Sequence, residues 1–335
     1  MSIRGVSRNN RGKVCIVSGL AALLFLLLGS RLQAQDYPVR PITINLGSTP
    51  GAAGGISCQI FAEGAKKYLP KSQPILLNYK PGAASAVAAD FVLKQPADGY
   101  NLLWVVQDLL VKLAKDGPQM SFKKEDFIPI GIIGASPPLL TINKQKRPFE
   151  KFEDFLDYAK KNPGTMSFGS VGLGSGTHLT GEIFQMLCGI KLNHVPFQGG
   201  APVVTALLGG HIDLCVLTAG SVRANLEPAG DLRALAVFAP ERFHELSNVP
   251  TFMEKGYDID RNNWYALAAP RGTPKAIVDT LVTIFKRAGD DPEVKGALMK
   301  AGYTPLNLGP EETGKRFTRE YEFAQEIFKK LGMTQ

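Results

Sequence analysis

Short apolar or β-branched runs alternate with amphipathic stretches along most of the chain, and glycine or proline separates them. The runs at 42–46 (ITINL), 75–79 (ILLNY) and 101–106 (NLLWVV) have the length and β-branched content of buried strands. Between them, GSTPGAAGG leads into a helical stretch at 56–68, and KPGAAS into another at 86–94. A further helix is expected from Leu109 to Ala114, with Asp108 as its N-cap. The plan recurs after Pro137 and Pro138. LLTIN at 139–143 reads as a strand, and the next helix places Phe152, Phe155, Leu156 and Ala159 on one face before Pro163 and Gly164 stop it. Strands at 166–171 and 192–197 then each feed a glycine-opened helix. Strand, glycine loop and helix in repeated order predict an α/β fold built on parallel sheets.

The glycine loops carry the candidate chemistry. FGSVGLGSGTHLTGEIF, residues 168–184, runs from a strand into a helix, and such a turn aims unpaired N–H groups and the positive end of the helix dipole at whatever lies in front. Nucleotide loops do not fit. From Gly169 the P-loop spacing reaches Gly174, but Ser175 and Gly176 stand where Lys and Ser/Thr belong. The dinucleotide fingerprint fails at Thr177, and Asn193 and His194 occupy the place of its downstream acid. Residues 47–56 and 169–181 contain no Asp, Glu, Lys or Arg, so an anion there would be met by N–H groups, hydroxyls and dipoles. Ligands of doubly wound sheets collect at the carboxyl ends of the strands, so four glycine-opened helices are expected to face one cleft.

The N-terminus sets the compartment. Arg4, Arg8, Arg11 and Lys13 precede an apolar run at 14–28, and Ala34 offers a small residue for cleavage. A run of that length is short of the roughly twenty residues of a spanning helix, so residues 1–34 read as a secretory signal peptide and the protein as periplasmic. That segment holds five basic residues and no acid, so its removal takes the formal charge from +8 to +3 and removes the main support for nucleic-acid binding. Cys58, Cys188 and Cys215 would remain, a sparse set that reads as buried apolar residues with at most one bridge. No spacing suits a metal, and no cofactor is implied.

Several segments together resemble one family: YPVRPITINLGSTPG, NYKPGAASAVAADFVLKQPADGYNLL, MSFGSVGLGSGTHLTGEIF, HVPFQGGAPVVTALLGGHID and the stretch from LRALAVFAPERF to WYALAAPRGTPK. They are similar to the extracytoplasmic solute receptors of tripartite tricarboxylate transporters, the Bug or TctC-like family, over essentially the whole mature chain. The resemblance implies a type II periplasmic-binding-protein fold with a ligand closed between two lobes, 36–138 plus 239–335 and 139–238. It implies a monomeric receptor for a small organic carboxylate that serves membrane permease subunits, or alternatively a sensor kinase without transport. Carried over by position, the carboxylate grip would involve Ser48, Thr49, Gly54 and Gly55 of the first lobe and Ser170, Gly174, Ser175, Gly176 and Thr177 of the second.

Other residues have two readings. His178 either packs locally or orients the carboxylate loop, and Asp108 either caps its helix or meets an ammonium or amide of the ligand. Phe197 and Thr218 could wall the pocket. Lys80 could reach a second carboxylate, and Trp264 is expected to pack beneath the cleft. Catalysis is not expected: G-x-S-x-G is absent around Ser170 and Ser175, SFKK at Ser121 lacks its companion motifs, and the loops offer no pair of carboxylates.

Overall fold

The computed structural model describes residues 37–330 and Gly332; the expected signal peptide lies outside them. The chain divides at Val39/Arg40. Residues 37–39 of the first unit carry no helix or strand, and all the elements below belong to the second.

Two sheets organise that unit. In the first, β1 (Ile42–Leu46) lies between β2 (Ile75–Tyr79) and β3 (Asn101–Val106), all parallel. The expected bounds of these three strands are the observed ones, because each is a β-branched or apolar run stopped by loop residues. β4 (Phe127–Ser136), β10 (Asn263–Pro270) and β11 (Thr304–Leu308) complete the order β11-β4-β10-β3-β1-β2. In the second sheet, β5 (Pro138–Asn143), β6 (Ser167–Ser170), β7 (Asn193–Pro196), β8 (Leu214–Thr218) and β9 (Leu232–Val237) take the order β7-β6-β8-β5-β9. β6 is parallel to β7 and β8, whereas β5 runs antiparallel to β8 and β9. The chain crosses between sheets twice, at Pro137 and along 238–262.

Ten helices follow among the described residues: α1 (Ala53–Ala65), α2 (Ala86–Leu93), α3 (Gln107–Asp116), α4 (Phe152–Lys161), α5 (Gly176–Cys188), α6 (Gly200–Gly209), α7 (Ala219–Val222), α8 (Lys275–Asp290), α9 (Pro292–Lys300) and α10 (Pro310–Lys330). α1 starts three residues before the expected position, since GG is tolerated in a first turn that Ala52 opens. The expected face of α4 is buried.

Each sheet has its own core. Phe155 and Phe184 stack at 6.0 Å beneath the second sheet, and Val111 and Ala114 of α3 and Ala324, Ile327 and Phe328 of α10 are buried in the same cluster. Phe317, earlier on α10, stacks at 5.2 Å on Trp264 in the first sheet's core. α10 thus ties the two cores together. The buried pair Arg261–Glu320 (2.7 Å) fixes the second crossing segment to the same helix.

Candidate functional site

A cavity of about 320 Å³ opens between the two sheets at the carboxyl ends of β1, β3 and β8. Its floor is α1. Ala52, the N-cap, makes no side-chain cap, and the N–H groups of Ala53, Gly54 and Gly55 have no partner among the described residues, as expected of a first turn. Ser48 and Thr49 line the wall beside them, and the buried Thr49 Oγ1 has no hydrogen-bond partner.

Across the cavity stands α6. Gly199 opens it at φ +115°, a conformation that suits only glycine, and it turns the Gly200 and Ala201 N–H groups out without a side-chain cap. A Cβ placed on Gly199 would lie 3.7 Å from Thr49 Oγ1, so the two helix starts approach each other across the gap. Gln198, Gly199, Gly200 and Ser221 all line the cavity. None of these four was singled out from sequence, although QGGA has the same glycine-opened form as the loops that were.

The third wall is the 81–85 turn. Gly82, Ala83, Ala84 and Ser85 all have positive φ, three of them without being glycine, and all four line the cavity.

The expected second-lobe loop behaves differently. Most of its N–H groups are taken up within the loop: Val171 N–H donates to Thr177 Oγ1 (3.1 Å), Gly174 N–H to His178 Nδ1 (3.1 Å), Ser175 N–H to the Gly172 carbonyl (3.2 Å) and His178 N–H to Ser175 Oγ (3.2 Å). Gly176 N–H donates to Asp108 Oδ1 at 2.7 Å. A carboxylate therefore does sit at the start of α5, but it is the protein's own. Any side chain at position 176 would strike that carboxylate, which is why glycine stands there.

Of the residues predicted from sequence, Ser48, Thr49, Gly54, Asp108, Thr177 and Thr218 line the cavity; Gly55, Ser170, Gly174, Ser175, Gly176, His178 and Phe197 do not. Gly55 packs against the Thr49 carbonyl and Tyr79. Ser170 Oγ lies 2.7 Å from His194 Nε2, and the Phe197 ring packs beneath Gly169. Gly174 lies against the Lys115 stem. His178 is 3 % exposed and stacks on His194 at 4.0 Å; burial, His194 and Lys115 lower its pKa to about 3, so it is neutral and its Nδ1 holds the Gly174 N–H of the loop. Asp108 is not the cap of its own helix, which starts at Gln107; it caps α5 instead. Lys80 does not line the cavity; its Nζ lies 3.9 Å from the centre of the Phe91 ring.

Among the described residues no Lys, Arg or His lines the cavity, and Asp108 is the charged residue that does. Burial raises the Asp108 pKa to about 6, against the Gly176 N–H bond that lowers it. On β10, Tyr265 and Asn263 add polar atoms: Tyr265 OH and Asn263 Oδ1 are buried without a hydrogen-bond partner. Among the described residues no cluster of His, Cys, Asp or Glu could hold a metal, and no helix is long and apolar enough to cross a membrane. Cys58, Cys188 and Cys215 are free and buried, as read.

Two α/β sheets with a ligand-sized cleft between them define the two-lobe fold of the periplasmic binding proteins. A solved structure described as a periplasmic transporter superposes with a TM-score of 0.83 at 31% identity, over 89% of this chain and 99% of that one. The chain belongs to the family described as the tripartite tricarboxylate transporter family receptor (TctC), whose model matches residues 58–333. It is 30% identical over 290 residues to protein BugT of Bordetella pertussis, covering 85% of this chain and 87% of BugT. R. palustris Rpa4515, solved with adipate, aligns with a TM-score of 0.82 at 27% identity, over 89% of this chain and 99% of its own.

Proposed function

We propose that the protein is a periplasmic receptor, without catalytic activity, that captures a small organic carboxylate between its lobes and presents it to the permease of a tripartite transporter. The observation that carries this reading is the pair of uncapped helix starts, α1 and α6, that face each other across the cavity. Backbone N–H groups at two dipole ends bind an anion without a cation, and Ser48, Thr49 and Ser221 add hydroxyls. The lobes would divide at 138/139 and 238/239, and closure would stabilise whichever arrangement lets both helix starts reach one carboxylate. The adipate held by Rpa4515 supports a carboxylate as the ligand class.

Thermal melting of the purified protein with mono-, di- and tricarboxylates tests this. A ligand at a hundred times its dissociation constant stabilises the folded state by about 2.7 kcal/mol, and Thr49→Asp, which adds a like charge at the seat, should abolish the shift. If no carboxylate raises the melting temperature, or if Thr49→Asp leaves the shift intact, the assignment falls.

A further inference from the structure

We propose that the ligand is a monocarboxylate whose far end carries a hydrogen-bond donor, an ammonium or a carboxamide, received by Asp108. This rests on the carboxylate-receptor reading and narrows it. The cavity has two chemically distinct walls. One is donor-rich: the starts of α1 and α6 and the Ser48, Thr49 and Ser221 hydroxyls. The other carries the Asp108 carboxylate, of which Oδ1 already takes the Gly176 N–H, while Oδ2 has no hydrogen-bond partner among the described residues. An ionised oxygen without a donor is costly in a half-closed cavity, so the occupant is expected to supply one. Tyr265 OH can turn either way and fits any ligand.

A diacid fits this arrangement badly. Its second carboxylate would face Asp108 with no cation on the cavity wall to offset the repulsion. The nearby Arg261 is not available for that role: it is buried in its ion pair with Glu320 and lines a different hollow. An ammonium would neutralise Asp108 outright, and a carboxamide would donate to its free oxygen without adding charge.

The test compares compounds that keep one carboxylate and the spacer of the strongest carboxylate found in the screen and replace the second carboxylate by a carboxamide or an ammonium: succinate with succinamate and β-alanine, or glutarate with glutaramate and γ-aminobutyrate. Calorimetric titration at neutral pH should show the ammonium or amide member binding at least about tenfold more tightly than the diacid, the factor expected of one hydrogen bond to a charged group. In Asp108→Asn, which keeps an oxygen for the Gly176 N–H, the preference for the ammonium member should vanish. A diacid that binds as tightly as its ammonium and amide partners, or a preference that survives Asp108→Asn, overturns the inference and leaves the carboxylate receptor standing. If no carboxylate binds at all, both fall together.

Discussion

At neutral pH an ionised Asp108 is partly buried on the cavity wall, with only the Gly176 N–H bonded to it and the charges of Arg261 and Glu320 and the Tyr265 phenol acting on it. Its pKa of about 6 lies above the ordinary 3.8, so between those values the folded state binds a proton that the unfolded state has released. Its contribution to stability is therefore fully present below about pH 4 and is lost as pH rises through 6. Asp108→Asn should melt higher than the parent at pH 7.5, by roughly 1–3 kcal/mol of stability, with the gap closing towards pH 4.5. The comparison isolates Asp108 from His178 and His194, whose lowered pKa values work in the opposite sense and are common to both proteins. A gap of equal size at the two pH values would mean that Asp108 is not held as described.

Among the elements, the turn before α2 is strained at three consecutive residues. Ala83, Ala84 and Ser85 sit at φ of 46°, 51° and 74°, where an L-residue costs roughly 1–2 kcal/mol. Ala84→Gly should therefore be neutral or stabilising by up to about 1 kcal/mol, once the greater freedom of the unfolded chain is set against the relief of strain. Ala84→Val should destabilise clearly, since a β-branched residue tolerates positive φ least. Urea denaturation of the two variants decides this; the idea fails if glycine proves the worse of the two. Strand positions such as β1–β3 were legible in sequence because their signal is local: an apolar run and its glycine or proline punctuation. The glycine loops were legible too, as anion-binding forms. Which of them is free to bind was not, because the start of α5 is filled by Asp108 from 68 residues earlier and by His178 within its own first turn. QGGA differs only in having no such internal partner, and a sequence does not display the absence of a tertiary contact.

For the molecule as a whole, α10 makes the two lobes one folding unit. It contributes Phe317 to the first core and Ala324, Ile327 and Phe328 to the second, while Glu320 between them pairs with Arg261. Removing Glu320 would leave a buried guanidinium uncompensated, and breaking such a pair typically costs about 3–5 kcal/mol. Glu320→Ala should lower stability by that order in one cooperative transition seen alike by tryptophan fluorescence and far-ultraviolet circular dichroism. Two separated transitions would show that the cores are less coupled than their shared helix suggests.

The absence of lysine and arginine from the cavity wall has a kinetic side. A cationic site draws anions from a distance and loses that pull as salt screens it, whereas partial charges on a few N–H groups act only at contact. Capture here should proceed unsteered, at a rate that changes little between dilute buffer and half-molar sodium chloride. Stopped-flow association at the two ionic strengths would show it; a steep fall in rate with added salt would reveal an electrostatic funnel that the cavity lining does not contain. A receptor of this kind gives up speed of encounter and gains a response that stays constant while the salinity outside the cell does not.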